Sequence, residues 1–156
     1  MKLSDLLTQK FIINELSSEN KSDIIDELVD LFKNDERIID LEKVRASVHS
    51  REKIMSTGVG KNFAIPHGKT DAVNDIICAF AKSSKPINFE SLDGQPVHLL
   101  FLLIGKDNLV SLHIKLLSRI SRMMTKDHFR EKLMKATSSE EIIQIFREEE
   151  NSYFEL

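Results

Sequence analysis

Residues 76–81 and 97–104 carry apolar side chains at almost every position, His98 being the exception. A strand with one wet face alternates apolar and polar residues, whereas a continuous run bounded by turn residues marks a strand covered on both faces. Asp93-Gly94 lies between the two runs and marks a turn. A sheet buried on both faces needs helices above and below it, and the flanking periodicity supplies them. Ile24, Ile25, Leu28, Leu31 and Phe32 recur at helical spacing and predict a helix over 22–33. Asp40 is placed to cap a second helix, with the stripe Leu41, Val44 and Val48, running to about Arg51. Leu109, Leu112, Leu116, Leu117, Ile120, Met123 and Met124 form one long stripe over 109–124. Shorter helices follow at 127–135 and 139–149, the last announced by the capping box Ser138-x-x-Glu141. Residues 11–13 and 63–66 read as further short strands. The pattern predicts an α/β chain, a three-layer α/β/α sandwich around a small mixed β-sheet. Its 156 residues show no linker, repeat or low-complexity boundary, so 1–156 is expected to be one domain.

Composition narrows the partners. Lys plus Arg number 22 against 25 Asp plus Glu, and this net charge of −3 offers no general attraction to nucleic acid or anionic lipid. The single cysteine, Cys78, lies in an apolar run, which predicts a buried thiol in a reducing compartment. Asp5 interrupts the N-terminal segment, which lacks the apolar core of a signal peptide. The longest apolar run, 99–104, falls far short of the ~20 residues that span a bilayer. The expectation is a cytoplasmic protein without membrane insertion.

Chemistry concentrates in Gly58-Val59-Gly60-Lys61-Asn62-Phe63-Ala64-Ile65-Pro66-His67-Gly68. Proline fixes its own φ and pushes the preceding residue into extended backbone, while glycine allows close approach. His67 is therefore expected on a well-defined loop at the mouth of a strand, within reach of something outside the protein. Of the other four histidines, His49 and His128 sit on polar stretches and are expected to be solvated. His98 reads as a satisfied structural histidine. His113 falls on the apolar stripe between Leu112 and Leu116, so it faces the sheet, where a buried polar group should have a partner. Gly60-Lys61 and Gly68-Lys69-Thr70 resemble pieces of a phosphate-binding P-loop, but neither has the required glycine five positions earlier together with Ser or Thr after the lysine. No Cys-x-x-Cys and no His pair at i, i+4 point to a metal, and a His67/His113 pair lacks an evident third ligand. A neutral imidazole can attack phosphorus. Its phosphoryl oxygens would then need donors such as backbone N–H groups at and beyond Gly68, a second imidazole and an arginine. Arg51, just ahead of Ser56-Thr57-Gly58, is the candidate arginine.

Arg51-Glu52, Ser56-Thr57-Gly58-Val59-Gly60 and Ala64-Ile65-Pro66-His67-Gly68, in that order, resemble the enzyme IIA domain of the fructose/mannitol class of the bacterial phosphoenolpyruvate-dependent phosphotransferase system. Leu92-Asp93-Gly94-Gln95-Pro96-Val97, His113 with Leu116-Leu117, and Ser138-Ser139-Glu140-Glu141 extend the similarity over about 5–147. Two small departures are Lys61-Asn62, where the family has a smaller pair, and Met55, where glycine is common. The resemblance implies a mixed sheet flanked by helices and a phosphotransferase component without cofactor or metal. It makes His67 the tele-phosphorylated histidine, His113 the imidazole beside it and Arg51 an oxygen-binding partner, with Thr57 and Gly68 as further phosphate-site candidates. The partners it implies are the phosphocarrier HPr or a nitrogen-type homologue and the IIB domain of a sugar permease. In the nitrogen-regulatory branch, a sensor kinase or potassium transporter would replace the IIB domain. Lys69-Thr70-Asp71-Ala72-Val73 and Leu92-Asp93-Gly94 are similar to the fructose branch, Gly68-Lys69 to the regulatory one, and the balance leans to sugar transport. A ligand- or metal-binding module is the remote alternative.

Overall fold

The two apolar runs pair with each other. In the computed structural model, which describes residues 1–154, strand β4 (Ile77–Ile87) lies antiparallel to β5 (Val97–Lys106), with Phe80 opposite Phe101 and Ile77 opposite Ile104. The short β1 (Ile12–Ile13) adds to β4 in parallel, while β2 (Phe63–Ala64) and β3 (His67–Thr70) both run parallel to β5 along its other side. The result is a five-stranded mixed sheet of order β1-β4-β5-β2, with β3 continuing beside β5. Helices α1 (Leu3–Leu6), α2 (Lys21–Asp30), α3 (Leu41–Ile54), α4 (Val110–Met124), α5 (Asp127–Lys135) and α6 (Ser139–Phe154) complete the chain.

Successive strand residues point to opposite faces, so each strand feeds two cores. Ala79, Ala81, Leu100, Leu102 and Ile104 pack with Ile24, Leu28, Val44 and Val48 of α2 and α3. Cys78, Phe80, Leu99, Phe101 and Leu103 pack with Leu116, Ile120, Phe129 and Phe146 of α4, α5 and α6. Alanines on the first face let α2 and α3 approach closely. On the second face Phe146 meets Phe80 and Phe129 edge-on, at centroid distances of 5.4 Å and 5.1 Å. The expected three layers are therefore present.

Helix starts follow the capping chemistry. The Asp40 carboxylate accepts the Glu42 and Lys43 N–H groups at 3.1 Å and 3.2 Å, and Asn20 caps α2 through Asp23 N–H at 2.9 Å. At α6 the Ser138 hydroxyl accepts Glu141 N–H at 3.1 Å, but the Glu141 carboxylate reaches one residue further back, to Thr137 N–H.

Several boundaries differ from the sequence reading. Phe11 belongs to a 3₁₀ turn over Gln9–Phe11 rather than to the first strand. Helix α2 stops at Asp30, and Leu31 and Phe32 continue in tighter i→i−3 bonds that still bury Phe32. Helices α3 and α6 run on to Ile54 and Phe154. Strand β4 extends through Lys82-Ser83-Ser84-Lys85-Pro86, past the end of its apolar run, with a register shift between Lys82 and Ile87. Backbone pairing needs no apolar side chains, so hydropathy understates such a strand.

Lys82 explains one of those polar positions. It is buried, and its ammonium donates to the carbonyls of Leu133 (2.9 Å), Met134 (3.3 Å) and Ala136 at the end of α5. Burial lowers its basicity. The last carbonyls of a helix have no intrahelical donor, so one lysine from the sheet both satisfies them and docks the helix. Lys82→Met keeps the length but strands these carbonyls. Urea unfolding should show a loss of about 2 kcal/mol, against near-zero change for Lys85→Met, whose side chain is exposed.

Candidate active site

His67 does not sit on a loop beyond a strand, as the sequence reading had it. It is the first residue of β3, opposite Leu103. Phe63 pairs with Leu99 and His67 with Leu103, so the register is the same on both sides of Ile65-Pro66. What the sequence suggested as one strand over 63–66 is an edge strand with a break at the proline. Pro66 has no N–H to give, yet its carbonyl still accepts Leu103 N–H at 3.1 Å.

The break sets the histidine. Nδ1 of His67 lies 2.8 Å from the Ile65 carbonyl oxygen. A carbonyl only accepts, so Nδ1 carries the hydrogen and the lone pair of the neutral ring is on Nε2. Burial lowers the basicity of His67 below the usual histidine value. The Ile65 carbonyl opposes that shift, the Arg51 charge adds to it, Glu52 opposes it and Lys69 adds to it.

His113, from α4, shares the sheet face of His67: the ring centroids are 5.6 Å apart with planes tilted by 52°. It is 2 % exposed. The expected partner is missing, since neither ring nitrogen has one among the described residues. Burial drives His113 down to about 4, with the charges of His67 and Lys69 adding to the effect. Gly105 of β5 makes the room for it. A Cβ built on Gly105 would lie 2.5 Å from Nδ1 of His113, well inside contact distance.

Arg51 ends on the other side of the site. Its guanidinium donates to the Met55 carbonyl at 2.8 Å, and its charge reaches His67 without a hydrogen bond between them among the described residues. Thr57 is buried, and its hydroxyl proton goes to the Glu52 carboxylate at 2.6 Å. Gly68 lies within the β3–β5 ladder, and a Cβ there would meet Ser47 Oγ of α3 at 2.5 Å. Close packing of β3 on α3 therefore accounts for this glycine. The Lys61-Asn62 departure occupies a loop in which both residues are left-handed, φ 57° and 66°. Lys61 N–H is held by Asp93 Oδ2 at 3.1 Å, and the Asn62 amide donates to the Pro96 carbonyl at 2.7 Å. That contact joins two motifs distant in sequence.

Sequence reasoning missed Lys69, Glu52 and Gly105. Lys69 was legible in principle: with 67–70 read as a strand, period two puts it on the face of His67. His128 is exposed, as expected, and His49 half-buried, and each also has a carboxylate partner. Nε2 of His49 is 2.8 Å from Asp26 Oδ1 of α2, and Nε2 of His128 is 3.1 Å from Glu149 Oε2 of α6. Both partners lie on other helices, which spacing along one helix cannot reveal. His98 is satisfied by the Ser83 carbonyl at 2.8 Å, and Cys78 is buried, which pushes its thiol up. No three metal-ligating side chains gather among the described residues, and no helix there is long and apolar enough to cross a membrane.

The mixed sheet between two helical layers thus carries, at the start of an edge strand, an imidazole bonded through Nδ1 to a backbone carbonyl and a second, buried imidazole beside it. Over residues 5–149 the sequence matches the family "Phosphoenolpyruvate-dependent sugar phosphotransferase system, EIIA 2", and the chain belongs to it. It is 34 % identical over 148 residues to the fructose-specific EIIABC component of Bacillus subtilis, covering 95 % of this chain but only 23 % of that longer protein. It is equally 34 % identical to a nitrogen regulatory protein of Bradyrhizobium diazoefficiens, covering 93 % of this chain and 94 % of that one. The crystal structure of the nitrogen regulatory protein IIA-Ntr from Neisseria meningitidis superposes with a TM-score of 0.86 at 30 % identity, over 92 % of this chain and 98 % of that chain.

The neutral, unpartnered His113 makes stability depend on pH. Its folded value of about 4 lies below the ordinary 6.5, so between those values the unfolded chain binds more protons than the folded one. Stability is then greatest above pH 6.5 and falls as pH drops toward 4, by on the order of 3 kcal/mol. Urea unfolding at several pH values should show this slope in the wild type and a much shallower one in His113→Leu.

Proposed function

We propose that the protein is a phosphoryl carrier that takes phosphate from phospho-HPr, or a nitrogen-type homologue, on Nε2 of His67 and passes it to a IIB domain. The observation that carries this reading is the Nδ1–H···O=C bond to Ile65, which leaves the Nε2 lone pair on the reactive side of the ring. In the transfer the Nε2 lone pair forms the new N–P bond while the bond from phosphorus to the donor breaks. The ring gains positive charge as it does so. The Nδ1–H bond to Ile65 therefore strengthens in the transition state, which is where strengthening accelerates the step. Depressed basicity keeps His67 neutral and nucleophilic at neutral pH.

The other residues take roles around the phosphoryl oxygens. His113, whose nitrogens have no partner among the described residues, donates an N–H to one oxygen. Arg51 swings from the Met55 carbonyl to another, and Lys69 adds positive charge from the strand. Thr57 and Gly68 are assigned to holding the loop and packing β3 rather than to direct phosphate contact. The soluble steps would take place in the cytoplasm, where the phosphate donors are.

Two similarities favour a second reading, regulation through the phosphorylation state of His67: the 34 % identity over nearly the full length of a nitrogen regulatory protein, and the 0.86 TM-score with IIA-Ntr. The added negative charge on His67 would then switch binding to a regulated kinase or transporter.

Incubation with phosphoenolpyruvate, enzyme I and HPr should add one acid-labile phosphate, absent in His67→Ala. Stoichiometric labelling of that variant overturns the assignment. Transfer from the labelled protein to a sugar-specific IIB supports transport. A partner that discriminates the two His67 states, with no acceptor, selects regulation. In His113→Ala, phosphoryl transfer should slow by about 10²- to 10³-fold.

A further inference from the structure

Glu52 is a carboxylate on α3 that is only 6 % exposed, and its bonds to Thr57 begin a chain of contacts that ends at His67. Its Oε1 accepts Thr57 N–H at 2.9 Å, and its Oε2 accepts the Thr57 hydroxyl at 2.6 Å. The Lys21 ammonium of α2 lies 2.8 Å from Oε1 and balances the buried charge. The Thr57 carbonyl in turn accepts Ile65 N–H at 3.1 Å. The carbonyl of that same Ile65 accepts Nδ1–H of His67 at 2.8 Å. Ile65 is thus gripped at its own N–H and its own C=O, with Thr57 at one end and the imidazole at the other.

Charge matters to this chain of bonds. Hydrogen bonds to an ionised acceptor are shorter and stiffer than neutral ones. A carboxylate that accepts two donors from one residue fixes both position and orientation. Burying such a group is unfavourable unless each lone pair is used, and here Thr57 and Lys21 use them. The adjacent Arg51 points outward to Met55, so neighbouring residues of one helix turn serve opposite sides of the loop.

We infer that Glu52 is a positioning residue for His67: its carboxylate holds Thr57, Thr57 holds Ile65, and the Ile65 carbonyl decides which ring nitrogen carries the proton. This rests on reading His67 as the phosphoryl acceptor, although the tautomer it fixes exists before any phosphate arrives. Weakening the clamp frees the Ile65 carbonyl. The ring then exchanges its Nδ1–H form with the Nε2–H form, in which the nucleophilic lone pair is on the wrong nitrogen.

Ring 15N–1H spectra of the unphosphorylated protein test this directly. The wild type should show a protonated Nδ1 and a bare Nε2 on His67. Glu52→Gln and Thr57→Val should shift both nitrogens to averaged positions. Phosphoryl uptake from phospho-HPr should fall by about 10- to 100-fold, with part of the label on Nδ1. If Glu52→Gln fails to fold, Thr57→Val decides, since it removes only the hydroxyl that Oε2 holds. Unchanged ring shifts in the folded variants, with uptake within about 2-fold of wild type, overturn the inference. Altered tautomers in the variants, in a protein that takes up no phosphate even as wild type, support the clamp and overturn the reading of His67 as acceptor.

Discussion

Burying β5 on both faces removes water from its whole backbone, so its hydrogen bonds must be made by strands on either side. β4 supplies one side in antiparallel pairing, and β2 with β3 supplies the other in parallel. Because β5 is already packed against two helical layers, a one-residue slip would turn Leu103 and Ile104 to the wrong cores. The register of β5 is therefore fixed by packing. The register of β3 follows from it, and so does the position of His67. The same strand carries Gly105, whose missing Cβ leaves space for the second imidazole. The site is in this sense an outgrowth of the central strand's burial.

Burial disfavours charge on both imidazoles, and nearby cations add to it: Arg51 and Lys69 act on His67, while Lys69 and a protonated His67 act on His113. In the proposed transfer those cations would face the phosphoryl group. His113 is buried with neither ring nitrogen partnered among the described residues. Such a group normally destabilises a fold by about 1–3 kcal/mol, and functional sites are where that expense is tolerated. Glu52 supplies a negative charge that opposes this effect at His67, and Lys21 pairs with it at 2.8 Å.

Elsewhere several buried polar groups are satisfied through contacts that reach across layers. Lys82 closes the end of α5 from the sheet, and Glu150 of α6 receives Leu3 and Ser4 N–H at 2.6 Å and 2.7 Å, docking the start of the chain. These long-range contacts give the outer helices fixed positions. The α4 that carries His113 packs in the same layer, on the same face of the sheet.

The layer order, the two central strands, the capped starts of α3 and α6, and the sheet-facing side of His113 were legible in the sequence. Each depends on local pattern: uniform apolar runs, helical stripes, a carboxylate or hydroxyl before a stripe, and a histidine inside one. That His113 lies beside His67 came from the family resemblance alone. The break in the edge strand, the strand character of His67, the tautomer set by Ile65 and the roles of Lys69, Glu52 and Gly105 were decided only by tertiary structure. They depend on which backbone group of one segment meets another, and hydropathy carries no information about that. Pro66-His67, with the motifs around it in order and a second histidine on the following helix, marked the candidate site. Which nitrogen of His67 that site presents is settled by a carbonyl two residues away, and its orientation follows from the pairing of the chain with β5.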